Sequence, residues 1–186
     1  MGTVEQVLKA GAVAQKKASG QRIPVDFNSL VRECVELARA RHHLLPEQLA
    51  YQESLSQAGG AGVLGDPEEL HTAVSNLLDN AVKYSPGGVH ITVELLAPDS
   101  EKQDSENIVL RVRDQGVGIP QNELKRIFKR FYRVRQRGRQ RVKGTGLGLF
   151  IVRSIARNHG GRVFAESEGA GKGTTVTMEL PRRRIA

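Results

Sequence analysis

Residues 65–88, "GDPEELHTAVSNLLDNAVKYSPGG", restrict the possible folds more than any other stretch. Asp66 has the side chain to cap a helix, and Pro67 suits the first helical position. Glu68 and Glu69 then sit at the positive end of the helix dipole. Ser85-Pro86-Gly87-Gly88 stops it. In between, Leu70, Val74, Leu77, Leu78 and Ala81 share one stripe, which must be buried against a second layer. Asn76, Asn80 and Lys83 form another stripe, with Tyr84 at its edge, because residues four apart are helical neighbours. Such a stripe is either a solvated face or a seat for a metal–phosphate complex. An Asn oxygen suits Mg²⁺, and an ammonium neutralises phosphate.

The flanking segments predict the partner layer. "DFNSLVRECVELARARHH" reads as a helix capped by Asp26 or Asn28, with Leu30, Val31, Cys34, Leu37 and Ala38 facing inward. "LAYQESL", "VHITVELL" and "NIVLRVRDQG" read as strands, the last two joined by the polar turn "APDSEKQDSE". "GRVFAESE" and "GTTVTMELP" form a hairpin around "GAGKG". The expected fold class is α+β: a two-layer α/β sandwich with a mixed, mostly antiparallel sheet packed against about three helices. Residues 1–20 read as a short helix running into a Ser-Gly linker, 21–183 as the folded domain and 184–186 as a tail.

The chain has 186 residues and a net charge of +8, a value that raises nucleic acid as a partner. The charge is local, however. "KRIFKRFYRVRQRGRQRVK", residues 125–143, holds ten Lys or Arg and no acid, and the remainder of the chain is slightly acidic. Aromatics make up 4% of the residues, so no stacking platform accompanies the cations. This favours a local anion site over a nucleic-acid surface. The single Cys34 cannot form an internal disulfide, and no apolar run reaches membrane-spanning length. A cytoplasmic setting is expected, with no membrane contact from this chain.

"KGTGLGLFIVRSIARNHGG", residues 143–161, alternates glycines at Gly144, Gly146 and Gly148. Glycines let backbone N–H groups approach an anion, and a helix starting there adds its positive end. Leu147, Phe150, Ile151, Ile155 and Ala156 have helical spacing, and Gly160 is a plausible stop. The spacing is neither that of a dinucleotide loop nor that of a P-loop. A glycine hinge before a core helix is the alternative. "DQGVGIP" places Asp114 at a strand end before Gly116 and Gly118, where a carboxylate can accept from an amino group such as that of adenine. An ordinary strand-ending turn is its alternative. "FKRFYRV" adds Phe128, Phe131 and Tyr132 among cations.

In this order, the four segments resemble the ATP-binding catalytic domain of sensor histidine kinases. "NLLDNAVKYS" is similar to that family's N box, and "DQGVGIP" to its first glycine box. "FKRFYRV" is similar to its F box, and "GTGLGLFIV" to its second glycine box. The flanks "PVDFNSLVREC" and "VLGDPEEL" match as well, so the resemblance covers roughly 21–183. It implies a histidine kinase-like ATPase fold that takes ATP and Mg²⁺. By the same resemblance, Asp114 reads adenine beside Gly116, Gly118 and Ile119. Asn80 holds Mg²⁺ with Asn76 nearby. Lys83, Arg133 and Lys143 contact phosphates, and Tyr84 lines the site. Gly144, Thr145, Gly146, Leu147 and Gly148 form the phosphate loop. Thr174 or Thr175 supports adenine through a water. The Arg-rich stretch 133–143 matches the family's flexible lid.

The family moves the ATP γ-phosphoryl to a histidine followed by an acidic residue on a separate dimerisation domain. His42, His43, His71, His90 and His159 all lack that neighbour. The resemblance therefore implies an excised, monomeric catalytic module. Its partners are the dimerisation domain of its parent kinase and, indirectly, a response regulator. The parent could be an inner-membrane sensor. His159 is expected at a helix C-terminus, where a cation is favourable. Hydrolytic members of the wider superfamily carry Glu where this chain has Asn76, and an amide cannot serve as general base. An ATP-gated conformational ATPase and an anti-sigma serine kinase are the alternatives within the superfamily.

Overall fold

The computed structural model describes residues 22–55, 61–97, 107–134 and 144–183. Three helices, α1 (Phe27–His42), α2 (Pro67–Lys83) and α3 (Gly148–Asn158), pack on one face of a five-stranded sheet. Its strands are β2 (Leu49–Leu55), β4 (Ile91–Ala97), β5 (Asn107–Asp114), β6 (Arg162–Glu166) and β7 (Thr174–Pro181), in the order β2-β4-β5-β7-β6. β2 and β4 pair in parallel, and the other neighbours are antiparallel. The mixed, mostly antiparallel α+β sandwich expected from the sequence is present. A second sheet, β1 (Ile23–Asp26) with β3 (Gly62–Gly65), has no counterpart in the sequence reading.

α2 lies between α1 and α3 and contacts both. Asp66 caps it by accepting the Glu68 and Glu69 N–H groups at 3.0 and 3.2 Å. Leu70, Val74, Leu77, Leu78 and Ala81 are buried as expected, together with Ala73. Burying each large apolar side chain contributes about 1.5–3 kcal/mol. α1 starts from Asp26, whose carboxylate accepts from the Asn28 and Ser29 N–H groups. Asn28 is not a cap; its side-chain oxygen accepts the Tyr51 hydroxyl. One core assignment needs correction: Leu37 is 44% exposed, and Phe27 and Val35 are buried instead. α1 packs against both α2 and β2, so its buried stripe is rotated away from Leu37.

His159 stands at the C-terminal end of α3, as expected from the sequence. It is 5% exposed and acts as a structural bridge. Its Nε2 accepts the Asp66 N–H at 3.1 Å, and its Nδ1 donates to the Ile155 carbonyl at 2.8 Å. That pattern requires the proton on Nδ1 and ties the end of α3 to the start of α2. Gly160 follows at φ +75°, the left-handed stop that a helix end needs.

Candidate functional site

The polar stripe of α2 is not a solvated face. Only Glu68 is exposed on the whole helix, because α1 and α3 flank it. Asn76, Asn80 and Lys83 turn toward the start of α3. A β-carbon on Gly148 would lie 3.0 Å from Asn76 Oδ1 and 3.2 Å from Asn80 Nδ2. Asn76 donates its Nδ2 to the Thr72 carbonyl at 2.8 Å, which leaves Oδ1 toward Gly148. Asn80 Nδ2 is buried without a hydrogen-bond partner among the described residues. An unpaired buried amide is costly, so its retention points to a ligand. A β-carbon on Gly144 would meet Lys83 Nζ at 2.1 Å. One end of the site is thus an amide pair and an ammonium facing a glycine loop at a helix N-terminus, an arrangement suited to an anion.

Electrostatics agree. Burial holds Lys83 below its ordinary value of 10.5, the Arg133 charge lowers it further, and Asp79 partly opposes both. Lys83 also lies 5.4 Å from the centre of the Tyr84 ring. Burial raises the Tyr84 phenol, and Arg133 opposes that shift. Two cations share a half-buried space, and an anion between them would relieve both. Gly146 turns at φ +73° against the backbone of Phe131 and Tyr132. This joins the glycine loop to the aromatic-basic segment. Within that segment Phe128 is buried, whereas Phe131 is 57% exposed at φ +60°.

The other end forms around Asp114, the last residue of β5. It is 8% exposed. Its Oδ1 accepts the Gly116 N–H at 2.8 Å and the Thr174 N–H at 3.2 Å. Oδ2 has no hydrogen bond among the described residues. Burial raises the carboxyl above its ordinary 3.8, and the two backbone N–H groups oppose that rise. Gly116 admits no side chain, since a β-carbon would lie 2.1 Å from the Tyr84 carbonyl. That carbonyl accepts the Val117 N–H at 2.9 Å, so the end of α2 is fastened to the Asp114 loop.

Most of the residues singled out in the sequence gather here. Ile119 is half-buried, and Gly118 turns at φ +67° against Gly169. Thr174 meets Asp114 through its backbone, whereas Thr175, opposite Arg113, points to the other face of the sheet. The Leu147 side chain is fully buried in the core, which leaves its backbone for a ligand. Thr145 and Arg133 lie in the glycine and basic segments as expected. Lys143 and Arg135 to Arg141 lie outside the described residues, as do residues 1–20. Sequence reasoning missed Ser167, Gln121 and Glu123, which brace these loops. A Ser opening a Gly-rich turn was the available signal for Ser167.

The family pattern described as "Histidine kinase-, DNA gyrase B-, and HSP90-like ATPase" matches residues 65–184, more than half of the chain. The chain belongs to this family. It is 34% identical over 161 residues to the sensor histidine kinase WalK of Bacillus subtilis, covering 84% of this chain and 24% of WalK. It is 35% identical over 165 residues to the sensor-like histidine kinase SenX3 of Mycolicibacterium smegmatis, covering 87% and 40%. The chain thus spans less than half the length of these relatives. Among solved structures, it matches a mycobacterial sensor histidine kinase MprB at TM-score 0.68 and 29% identity, covering 88% of this chain and 99% of that one. It matches full-length ShkA, solved in complex with AMPPNP, at TM-score 0.73 and 27% identity, covering 98% and 36%. The domain has the architecture of a histidine kinase ATP-binding catalytic domain. No helix among the described residues is long and apolar enough to cross a membrane.

Proposed function

We propose that this domain binds ATP with Mg²⁺ and presents the γ-phosphoryl to a histidine on a separate dimerisation domain, in two-component signalling. The observation that carries this reading is the unpaired, buried Asn80 amide beside Asn76, facing Gly148, with Lys83 against Gly144. Asp114, buried with Oδ2 left over, supplies an acceptor for an adenine amino group at the other end. Among the described residues, no three His, Cys, Asp or Glu cluster as a metal site. Asn80 would offer its side-chain oxygen to the cation, with phosphate and water oxygens completing the shell, and its unpaired Nδ2 to a phosphate oxygen. Mg²⁺ would neutralise developing phosphate charge. Lys83 and Arg133 would orient the phosphates, and the glycine-loop backbone would cradle them. Among the described residues, Asn76 holds the place beside Asn80 and an amide is no base for water, which favours transfer over hydrolysis.

In this reading, residues 21–183 are the catalytic unit and residues 1–20 lead from the dimerisation domain. The setting is cytoplasmic, and the isolated chain is monomeric. Calorimetry with ATP and Mg²⁺ tests binding; an Asn80→Ala variant should bind far more weakly. Incubation with γ-labelled ATP tests transfer. The chain alone should stay unlabelled, while an added dimerisation domain from a related kinase should take acid-labile phosphate. Labelling of a histidine in this chain, or equal binding by Asn80→Ala, would overturn the reading.

A further inference from the structure

Ser167 follows β6 at the entry to the Gly-rich turn 169–173 and touches no residue marked for phosphate binding. Its hydroxyl accepts the Ile119 N–H at 3.0 Å and the Gly169 N–H at 3.3 Å, and donates to the Gly173 carbonyl at 2.6 Å. A hydroxyl has one proton to give and two lone pairs, so its capacity is filled. The Ser167 carbonyl also accepts Gln121 Nε2 at 2.6 Å. Backbone bonds run beside these, from the Gly171 N–H to the Val117 carbonyl at 2.7 Å and from the Gly173 N–H to the Gly116 carbonyl at 3.2 Å. One side chain therefore clasps loop 116–119 to turn 169–173.

Both clasped segments lead directly to Asp114. Gly116 and Thr174 supply the two N–H groups on Oδ1. Gly173 runs so close that a β-carbon there would lie 2.1 Å from the Asp114 carbonyl. We propose that Ser167 is a positioning residue for purine recognition. Its hydroxyl holds the two loops at the spacing that keeps both backbone donors on Oδ1 and reserves Oδ2 for the base. This rests on the reading of Asp114 as the adenine acceptor. Without the clasp, the loops sample more conformations and the ligand must pay the ordering cost.

The test compares Ser167→Ala and Ser167→Thr with the unaltered chain, using ATP·Mg, ADP·Mg and inorganic tripolyphosphate. Ser167→Ala should weaken ATP and ADP alike by about tenfold, equivalent to about 1.4 kcal/mol, and leave tripolyphosphate affinity unchanged. Ser167→Thr keeps the hydroxyl and should recover most of the loss. An equal fall for all three ligands would mark a merely structural role and overturn the proposal, as would unchanged ATP and ADP binding. Failure of the unaltered chain to bind ATP would instead remove the functional reading, and this one with it.

Discussion

Lys83 and Gly144 meet so closely that a β-carbon on Gly144 would lie 2.1 Å from the Lys83 ammonium. The contact joins the last turn of α2 to the glycine loop. The ammonium is the free end of a flexible side chain, so Gly144→Ala would displace it rather than the backbone. Stability should change by no more than about 0.5 kcal/mol. ATP affinity should fall, because the cation leaves the phosphate seat. Thermal melts and calorimetry read the two effects separately, and a large stability loss with full affinity would contradict this account.

Lys83 also gives a proton-linkage signature. Burial, then Arg133, holds its ammonium below the ordinary 10.5. The free folded chain therefore binds this proton less tightly than the unfolded chain. From this group alone, stability rises as pH climbs from the depressed value to the ordinary one. Phosphates bound beside Lys83, as proposed, would reverse the shift. ATP binding should take up protons at alkaline pH, and its affinity should fall as pH rises through the depressed value. Calorimetry in buffers of different ionisation enthalpy measures the uptake, and Lys83→Met should abolish it.

Asp114 should show opposing effects on binding and stability. Its carboxyl is raised above 3.8, chiefly by burial. Its contribution to stability is therefore greatest below 3.8 and is lost as pH rises through the raised value. Asp114→Asn retains an oxygen for the Gly116 and Thr174 N–H groups and removes the titration. The variant should melt no lower than the parent near neutral pH. It should lose about 1–3 kcal/mol of ATP affinity, because an amide N–H would oppose the adenine amino group. Parallel melting curves across acidic pH would show that Asp114 does not titrate as stated.

Asn76 should keep hydrolysis slow. Its Oδ1 shares the approach to Gly148 with Asn80, yet an amide cannot take a proton from water. Phosphate release should stay far below the roughly 1–10³ per second usual for enzymes. Asn76→Glu should raise it if the added charge spares ATP binding, since a positioned base contributes about 10²–10⁴-fold. Turnover by the unaltered chain in the enzymatic range, dependent on Asn80, would favour the ATPase branch of the family.

Cys34 should report unfolding. It is 2% exposed between α1 and α2, and burial pushes its thiol up to about 11. At pH 8 the native chain should react with a thiol reagent only as fast as it opens. Rapid labelling without denaturant would contradict the packing described here.

Much of the fold was legible because its signals are local. Asp66, Pro67 and the leucine stripe define α2 without outside help. The hairpin of β6 and β7 follows from alternation around a glycine turn. β1 and β3 escaped notice for a physical reason: each has four residues, interrupted by Pro24 or bounded by Gly62 and Gly65, too few to display a period. They persist because Asp26 and Gly65 abut helix starts and the Arg183 N–H reaches the Gly62 carbonyl at 2.8 Å. Leu37 reads as core from the sequence for a similar reason: helical spacing does not state which of two neighbours a helix will meet. The sequence places His159 at a helix end, but the Asp66 N–H that its imidazole accepts comes from a distant segment.

The sequence by itself determined which residues are candidates for the chemistry: Asn76, Asn80, Lys83, Asp114 and the glycines from Gly144 to Gly148. Their types and spacings are properties of single segments. Only the tertiary structure decided that the Asn stripe is enclosed rather than solvated, because enclosure depends on α1 and α3 flanking α2. Only it paired Gly148 with Asn80, 68 positions earlier in the chain, and set Ser167 across from Ile119. Contacts between distant segments arise from packing, and no local pattern encodes them.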